Sequence, residues 1–141
     1  MYHTFQTIYV LLDDGDRHVL KKIGLTPSQF NLLQQLDNDD HKLSITALSN
    51  RLLCTRSNAT RMVQRLEKRT LVQTNKDASD QRRLHVTLTK QGKQMLADAR
   101  TAHFASIHHR LGSLNEQKRT QLSTLITEVA ELLKTDISST K

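Results

Sequence analysis

The sequence predicts an α+β fold that is mostly α-helical. Apolar residues recur at helical spacing through most of the chain, and two short β-prone runs, 71–74 and 84–88, interrupt that pattern in the middle. The chain has 141 residues, the size of one domain, so we expect 1–141 to form a single domain. Hydrophobic residues make up 36% of it, which is ample for a core if helices arrange them in stripes.

Two helices are predicted in the N-terminal part. Residues 4–22 have apolar side chains at helical spacing and predict one long helix, with Gly15 and its aspartate neighbours as a point of interruption. Gly24 supplies a stop. A capping signal at 26–29, in which threonine is followed by proline at the first helical position and by glutamine, then starts a second helix over 27–37.

The next two helices are shorter and close together. Thr46, with an apolar residue before it, is expected to cap a short helix that ends near Leu53. Residues 56–69 follow, with a buried face predicted from the spacing of Ala59, Met62, Val63 and Leu66. The opposite face carries hydrogen-bond donors and cations: Arg56, Ser57, Asn58, Thr60, Arg61, Gln64, Arg65 and Lys68. A short helix, a tight turn and a polar-faced helix predict a helix-turn-helix.

The two β-prone runs predict a hairpin with a long basic tip, because the polar stretch 75–83 separates them. Thr89 is expected to cap a further helix that continues toward Leu111, and a last helix begins near Asn115. A helix-turn-helix followed by a hairpin is a winged helix-turn-helix, whose second helix enters the major groove while the wing reaches the backbone or the minor groove. We assign 25–93 to this region.

The charge distribution favours a polyanionic partner for the same region. The net charge is +7 and the isoelectric point about 9.9. Residues 51–93 hold 11 basic and 3 acidic side chains, whereas 1–50 hold 4 and 6, and 94–141 hold 6 and 5. The positive charge is therefore concentrated where the helix-turn-helix and the wing are predicted, as expected for an element that docks on phosphates.

The terminal helices, over 1–23 and 94–141, are predicted to dimerise. Their apolar residues form stripes that the small globule of residues 25–90 cannot cover: Phe5, Ile8 and Leu12 in the first helix, and Leu122, Leu125, Ile126, Val129, Leu132 and Leu133 in the last. Association of two chains would cover them. We expect a homodimer with an interface made by the first, fifth and sixth helices.

The segment DQRRLHVTLT at 80–89 resembles the wing motif of the multiple antibiotic resistance regulator (MarR) family, in which Asp-x-Arg is followed by five residues and then Leu-Thr. The recognition-helix pattern of the family is matched by Ser57, Thr60, Arg61, Val63, Leu66, Glu67, Leu71 and Val72, and the preceding helix by Leu25, Thr26, Phe30 and Leu33. Thr70 departs from the pattern, because the family usually has glycine there for a left-handed turn, and the join to the wing is expected to differ locally.

The resemblance implies a homodimeric regulator of transcription, in most members a repressor, that binds double-stranded DNA at a pseudo-palindromic operator with half-sites ~10 bp apart. Arg82 resembles the family arginine that probes the minor groove, with Asp80 placed to hold its guanidinium, and Arg83 and Lys76 would add phosphate contacts. Many members bind a small effector, often phenolic, between the dimer and DNA-binding regions. No cofactor is implied.

Other functions have less support in the sequence. The basic face could bind an acidic protein instead of DNA, and Cys54, the single cysteine, could be a redox switch or a packing residue. A metal site would need His41 together with His103, His108 and His109, whose separations do not match the usual i, i+4 pair, so no metal is predicted. No catalytic motif is present, which predicts a non-enzyme. The longest apolar run, 8–12, is far shorter than the ~20 residues of a bilayer span, and we expect a cytoplasmic protein.

Overall fold

The computed structural model describes residues 1–37, 42–76 and 84–139, with side chains described as far as 136. Over these residues the chain forms six helices and one small antiparallel sheet, so the predicted mostly helical α+β fold is confirmed. In chain order the elements are α1 (Tyr2–Lys22), α2 (Pro27–Asp37), β1 (Leu43–Ser44), α3 (Ile45–Arg51), α4 (Arg56–Lys68), β2 (Val72–Lys76), β3 (Leu84–Leu88), α5 (Lys90–Leu111) and α6 (Glu116–Ser139). The chain divides into two compact units, Met1–Ser106 and Ile107–Lys141.

Helix α1 is continuous, so Gly15 does not interrupt it. Two acidic neighbours of Gly15 have partners: Asp13 pairs with Arg17 one turn later, and Asp16 lies 3.2 Å from His103 Nε2 on α5. A glycine inside a helix costs about 1 kcal/mol relative to alanine, and these contacts act in the opposite direction. In the described ranges, no helix combines the length and the apolarity that a bilayer span requires.

The loop between α1 and α2 follows the sequence signals closely. Gly24 has a φ of +78°, and the N–H of Leu25 donates to the carbonyl of Leu20, which closes α1 in the left-handed turn that favours glycine. The Thr26 hydroxyl accepts from the N–H of Gln29 at 3.2 Å, and the Gln29 side chain accepts from the N–H of Thr26 at 3.0 Å. This reciprocal pair is a capping box.

Helix α3 begins two residues earlier than predicted, because its N-cap is Ser44 rather than Thr46. The Ser44 hydroxyl accepts from the N–H of Ala47 at 3.1 Å. Ser44 also belongs to β1, a two-residue strand that the sequence did not predict. Because pairing with β3 keeps Ser44 extended, with φ −71° and ψ 158°, this residue has the backbone conformation that an N-cap requires.

The sheet has the strand order β1-β3-β2, with both pairs antiparallel. In the hairpin, Val72 pairs with Leu88 and Lys76 pairs with Leu84. Strand β2 therefore begins and ends later than the predicted run 71–74, and it lies at the edge of the sheet. We call the β2–β3 hairpin, residues 72–88, the wing.

The five helices from α1 to α5 and the sheet share one hydrophobic core. Its members are less than a tenth exposed, and they are Leu20, Leu25, Phe30, Leu32, Leu33, Leu36, Leu43, Leu48, Val63, Leu66, Leu71, Val72, Val86, Leu88, Leu96 and Ala99. From α4 the core takes the predicted Val63 and Leu66, while Ala59 is also fully buried and Met62 is only half-buried. The apolar side of α4 therefore faces inward, and this leaves its polar side to solvent.

Candidate nucleic-acid interface

The polar face of α4 is exposed along its whole length. The predicted residues Arg56, Ser57, Asn58, Arg61, Gln64, Arg65 and Lys68 are all exposed. Thr60 is half-buried, and its hydroxyl donates to the carbonyl of Arg56 at 2.8 Å. The helix is started by Thr55, whose hydroxyl accepts from the N–H of Asn58. The other seven side chains are all polar and exposed, so each can contact a ligand laid along this face.

The four cations of α4, at 56, 61, 65 and 68, form no ion pair with a carboxylate in the described part of the chain. Three cations outside α4 do have such partners: Arg17 pairs with Asp13, Arg100 with Asp37 and Lys134 with Glu131. A cation without a carboxylate partner can bind a phosphate without first breaking an ion pair. The electrostatics of α4 therefore favour a polyanion.

A groove of about 520 Å³ lies between the start of α2 and α4. Its lining includes Gln29, Cys54, Asn58, Arg61 and Arg65. The thiol of Cys54 is half-buried in the turn between α3 and α4. Two guanidinium groups in one groove favour an anionic occupant, such as a phosphodiester or a small carboxylate.

Of the four wing residues predicted to bind DNA, the structure describes one. Lys76 is exposed at the end of β2, as predicted. The predicted wing residues Asp80, Arg82 and Arg83 lie outside the described residues. One contact that the sequence did not indicate joins the wing to α4: Glu67 Oε1 accepts from the backbone N–H of Thr74 at 3.0 Å. The signal available in the sequence was that Glu67 is acidic in an otherwise basic helix.

Thr70 makes the turn between α4 and the wing itself. Its φ is +57°, and its N–H donates to the carbonyl of Glu67 while the N–H of Leu71 donates to that of Leu66. These two bonds form a Schellman motif, in which the residue after the C-cap is left-handed. Threonine thus adopts the left-handed conformation that suits glycine, the residue usual at this position in the family.

The candidate dimerisation residues lie open to solvent in the single chain. Phe5, Ile8, Leu12, Leu122, Leu125, Ile126, Leu132 and Leu133 are exposed, and Val129 is half-buried. Leu132, for example, is 71% exposed. A contiguous set of exposed apolar side chains is typical of a surface that binds another protein.

The histidines considered as metal ligands are not gathered together in the described ranges. His103 packs against Phe30, with ring centroids 5.2 Å apart, and contacts Asp16. His108 and His109 are exposed in the last turn of α5. His41 lies outside the described residues. Among the residues described, no three potential ligands form a metal-binding group.

Helix α3, its tight turn, α4 and the wing together define a winged helix-turn-helix protein. The family model described as "MarR family" matches residues 23–83, which cover α2, the helix-turn-helix and the start of the wing. Over these residues the chain is similar to the MarR family.

Individual relatives agree with this similarity. The chain is 29% identical over 113 residues to the transcriptional repressor MprA of Escherichia coli K12, an alignment that covers 79% of this chain and 64% of MprA. It is 33% identical over 76 residues to the HTH-type transcriptional regulator SarZ of Staphylococcus epidermidis, covering 54% of this chain and 51% of SarZ. The chain thus spans less than two thirds of these relatives. The structure of Sco3205, a MarR family regulator from Streptomyces coelicolor in complex with DNA, superposes with a TM-score of 0.80 at 25% identity, covering 92% of this chain and 83% of that one.

Proposed function

We propose that the protein is a sequence-specific, double-stranded DNA-binding regulator of transcription, and that it acts as a repressor. The observation that carries this proposal is the exposed face of α4, where four cations alternate with amide and hydroxyl side chains and have no carboxylate partner among the described residues. An α-helix fits the major groove of B-DNA, where arginine pairs with guanine and asparagine or glutamine with adenine. The MarR-family relatives are regulators, and one of them is seen with DNA.

The division of labour follows from the same surfaces. Residues 25–93 would bind DNA, with Arg61, Asn58 and Gln64 as the strongest candidates for base edges and Arg82 for the minor groove. Residues 1–23 and 94–141 would form the homodimer, because their exposed apolar stripes need a cover. Two-fold symmetry then requires a pseudo-palindromic operator with half-sites ~10 bp apart.

A small effector of the phenolic type is part of the proposal. Such a ligand would act by shifting the population of dimers toward a spacing of the two recognition helices that no longer fits adjacent grooves. The groove beside Arg61 and Arg65 suits an anionic ligand by its charge. If a saturating effector leaves both the DNA affinity and the separation of the wings unchanged, that ligand is not the effector. The protein is proposed to work in the cytoplasm without catalytic activity.

The proposal is tested by measuring the binding of the purified protein to the DNA upstream of its own gene and to a random duplex of equal length, across ~50–200 mM salt. Arg61→Ala is expected to weaken binding to the upstream DNA by ~10-fold or more and to reduce the preference over random DNA. Arg17→Ala is the matched control, because it removes the same charge from an exposed residue of α1. This variant should retain the preference.

Each outcome points to one function. Preference for the upstream DNA that is lost in Arg61→Ala supports the regulator. Equal, salt-dependent affinity for both duplexes would contradict sequence specificity for that DNA. Absence of binding to any duplex would favour a winged-helix module that binds an acidic protein. If Cys54→Ser alone abolished binding while Arg61→Ala did not, the function would depend on the thiol instead.

A further inference from the structure

Helix α4, every residue of which is described, contains a single carboxylate. That residue, Glu67, is exposed between Leu66 and Lys68 on an otherwise basic helix. A negative charge beside a surface that binds phosphates lowers affinity for DNA through repulsion. The carboxylate is therefore unfavourable for the proposed function unless it provides a compensating contact.

The compensating contact is with the wing. Glu67 Oε1 accepts from the N–H of Thr74 at 3.0 Å, and the backbone carbonyl of Glu67 accepts from the N–H of Thr70 at 2.9 Å. One residue of α4 thus holds both the turn that leads into β2 and the middle of β2 itself. A rotation of the wing about residues 69–71 would break the carboxylate bond.

The sheet does not require the hydrogen bond between Thr74 and Glu67, because Thr74 lies on an edge strand. Strand β2 lies at the edge of the sheet, so its outward N–H groups have no strand partner among the described residues and could bind water. An N–H of an edge strand that donates to a carboxylate forms a stronger hydrogen bond than it would form with water. Such a bond also fixes the orientation of the strand relative to the element that carries the carboxylate. Lys76 lies two residues further along β2, about 7 Å from Thr74 at the usual rise of a strand.

We propose that Glu67 is a positioning residue that fixes the wing relative to α4, so that the cations of both elements contact one DNA duplex at the same time. This inference rests on the proposed function and concerns the wing alone. Glu67 itself does not touch DNA. Its carboxylate determines where Lys76, at the end of β2, meets the phosphate backbone.

The test compares Glu67→Gln with Glu67→Ala. Both remove the charge, but glutamine keeps a side-chain oxygen that can accept from Thr74, whereas alanine keeps none. Asp98→Ala is the control for net charge, since Asp98 is exposed on α5. The probe is a 30-bp duplex (roughly three helical turns) selected by the wild-type protein from a random pool, and its binding is measured by fluorescence anisotropy across ~50–200 mM salt.

We expect Glu67→Ala to bind the probe ~3- to 10-fold more weakly than Glu67→Gln, because one hydrogen bond is lost. Its log–log salt dependence should also be shallower by about one phosphate contact, ~0.9 units. Glu67→Gln should retain the wild-type slope, and Lys76→Ala should weaken binding less in the Glu67→Ala background than in Glu67→Gln. A role confined to stability would lower the melting temperature without changing the slope or this coupling.

Two results overturn the inference in distinguishable ways. If the wild-type protein selects a duplex but Glu67→Ala and Glu67→Gln bind it with equal affinity and slope, then Glu67 does not position the wing, and the proposed function stands. If the wild-type protein selects no duplex at all, the proposed function fails and the inference fails with it. Thermal unfolding of each variant, followed by circular dichroism, shows that the compared proteins are folded.

Discussion

The hydroxyl of Thr89 donates a hydrogen bond of 2.6 Å to the backbone carbonyl of Thr70, 19 residues earlier in the chain. The same oxygen accepts from the N–H of Gly92 at 2.9 Å, and the N–H of Thr89 donates to the carbonyl of Leu71. Thr89 therefore joins the end of α4, the exit of the wing and the first turn of α5. This is a structural reason for threonine at the last position of the wing motif.

Replacing Thr89 should separate these three elements. Thr89→Ala removes an N-cap and a hydrogen bond to the backbone, and we expect it to lower the free energy of unfolding by about 1–2 kcal/mol. Thr89→Ser keeps the hydroxyl and should stay within about 0.5 kcal/mol of the wild type. Urea unfolding followed by circular dichroism measures both. Equal losses in the two variants would show that the methyl group matters rather than the hydroxyl.

Gly92 allows α5 to approach the chain at the entrance of the wing. A Cβ atom placed on Gly92 would lie 1.8 Å from the carbonyl oxygen of Leu71, which is backbone and cannot turn away. Gly92→Ala should therefore lower the free energy of unfolding by about 3 kcal/mol or more. Lys93→Ala, an exposed change in the same turn, serves as the control in a thermal unfolding experiment. A Gly92→Ala protein as stable as this control would mean that α5 does not pack as described.

Thr70 is left-handed, so the usual order of alanine and glycine should reverse there. In a helix, alanine is more stable than glycine by about 0.5–1 kcal/mol. At a φ of +57° a Cβ atom costs about 1–2 kcal/mol, so Thr70→Gly should be more stable than Thr70→Ala by about 1 kcal/mol. Both variants lose the hydroxyl bond to Gln91, so the difference isolates the backbone. If denaturant unfolding finds alanine the more stable, the turn at 70 is not left-handed in solution.

Features that depend on local chemistry could be predicted from the sequence. The threonine, proline and glutamine at 26–29 specify a capping box without reference to the rest of the chain, and the structure has it. The spacing of Ala59, Val63 and Leu66 likewise specifies which side of α4 is buried. The exposed polar face of α4 can then be predicted as well, because it is the side of the helix opposite the buried one.

Features that depend on tertiary contacts could not be predicted in this way. Strand β1 has only two residues, too few to show the alternation of apolar and polar residues that predicts a strand. It forms because Leu43 pairs with Val86. That pairing also decides that Ser44 rather than Thr46 caps α3, although both residue types are suitable. The bond from Glu67 to Thr74 needs the wing to fold back beside α4, which no spacing within the helix reveals.

The apolar stripe of α6 leads to a prediction about the oligomeric state. Leu125 is 60% exposed in the single chain and lies near the middle of the stripe, so we expect a homodimer to bury it. Leu125→Glu would place a carboxylate in that interface without a partner, which is strongly unfavourable. The protein should then sediment with the mass of one chain instead of two, and its affinity for a two-half-site duplex should fall because the second half-site is no longer linked. Thr127→Glu is the matched control, because two residues further along the helix, ~200° round its axis, the same carboxylate faces away from the stripe. A Leu125→Glu protein that still sediments as a dimer, or a wild-type protein that sediments as a monomer, would show that α6 does not form the interface.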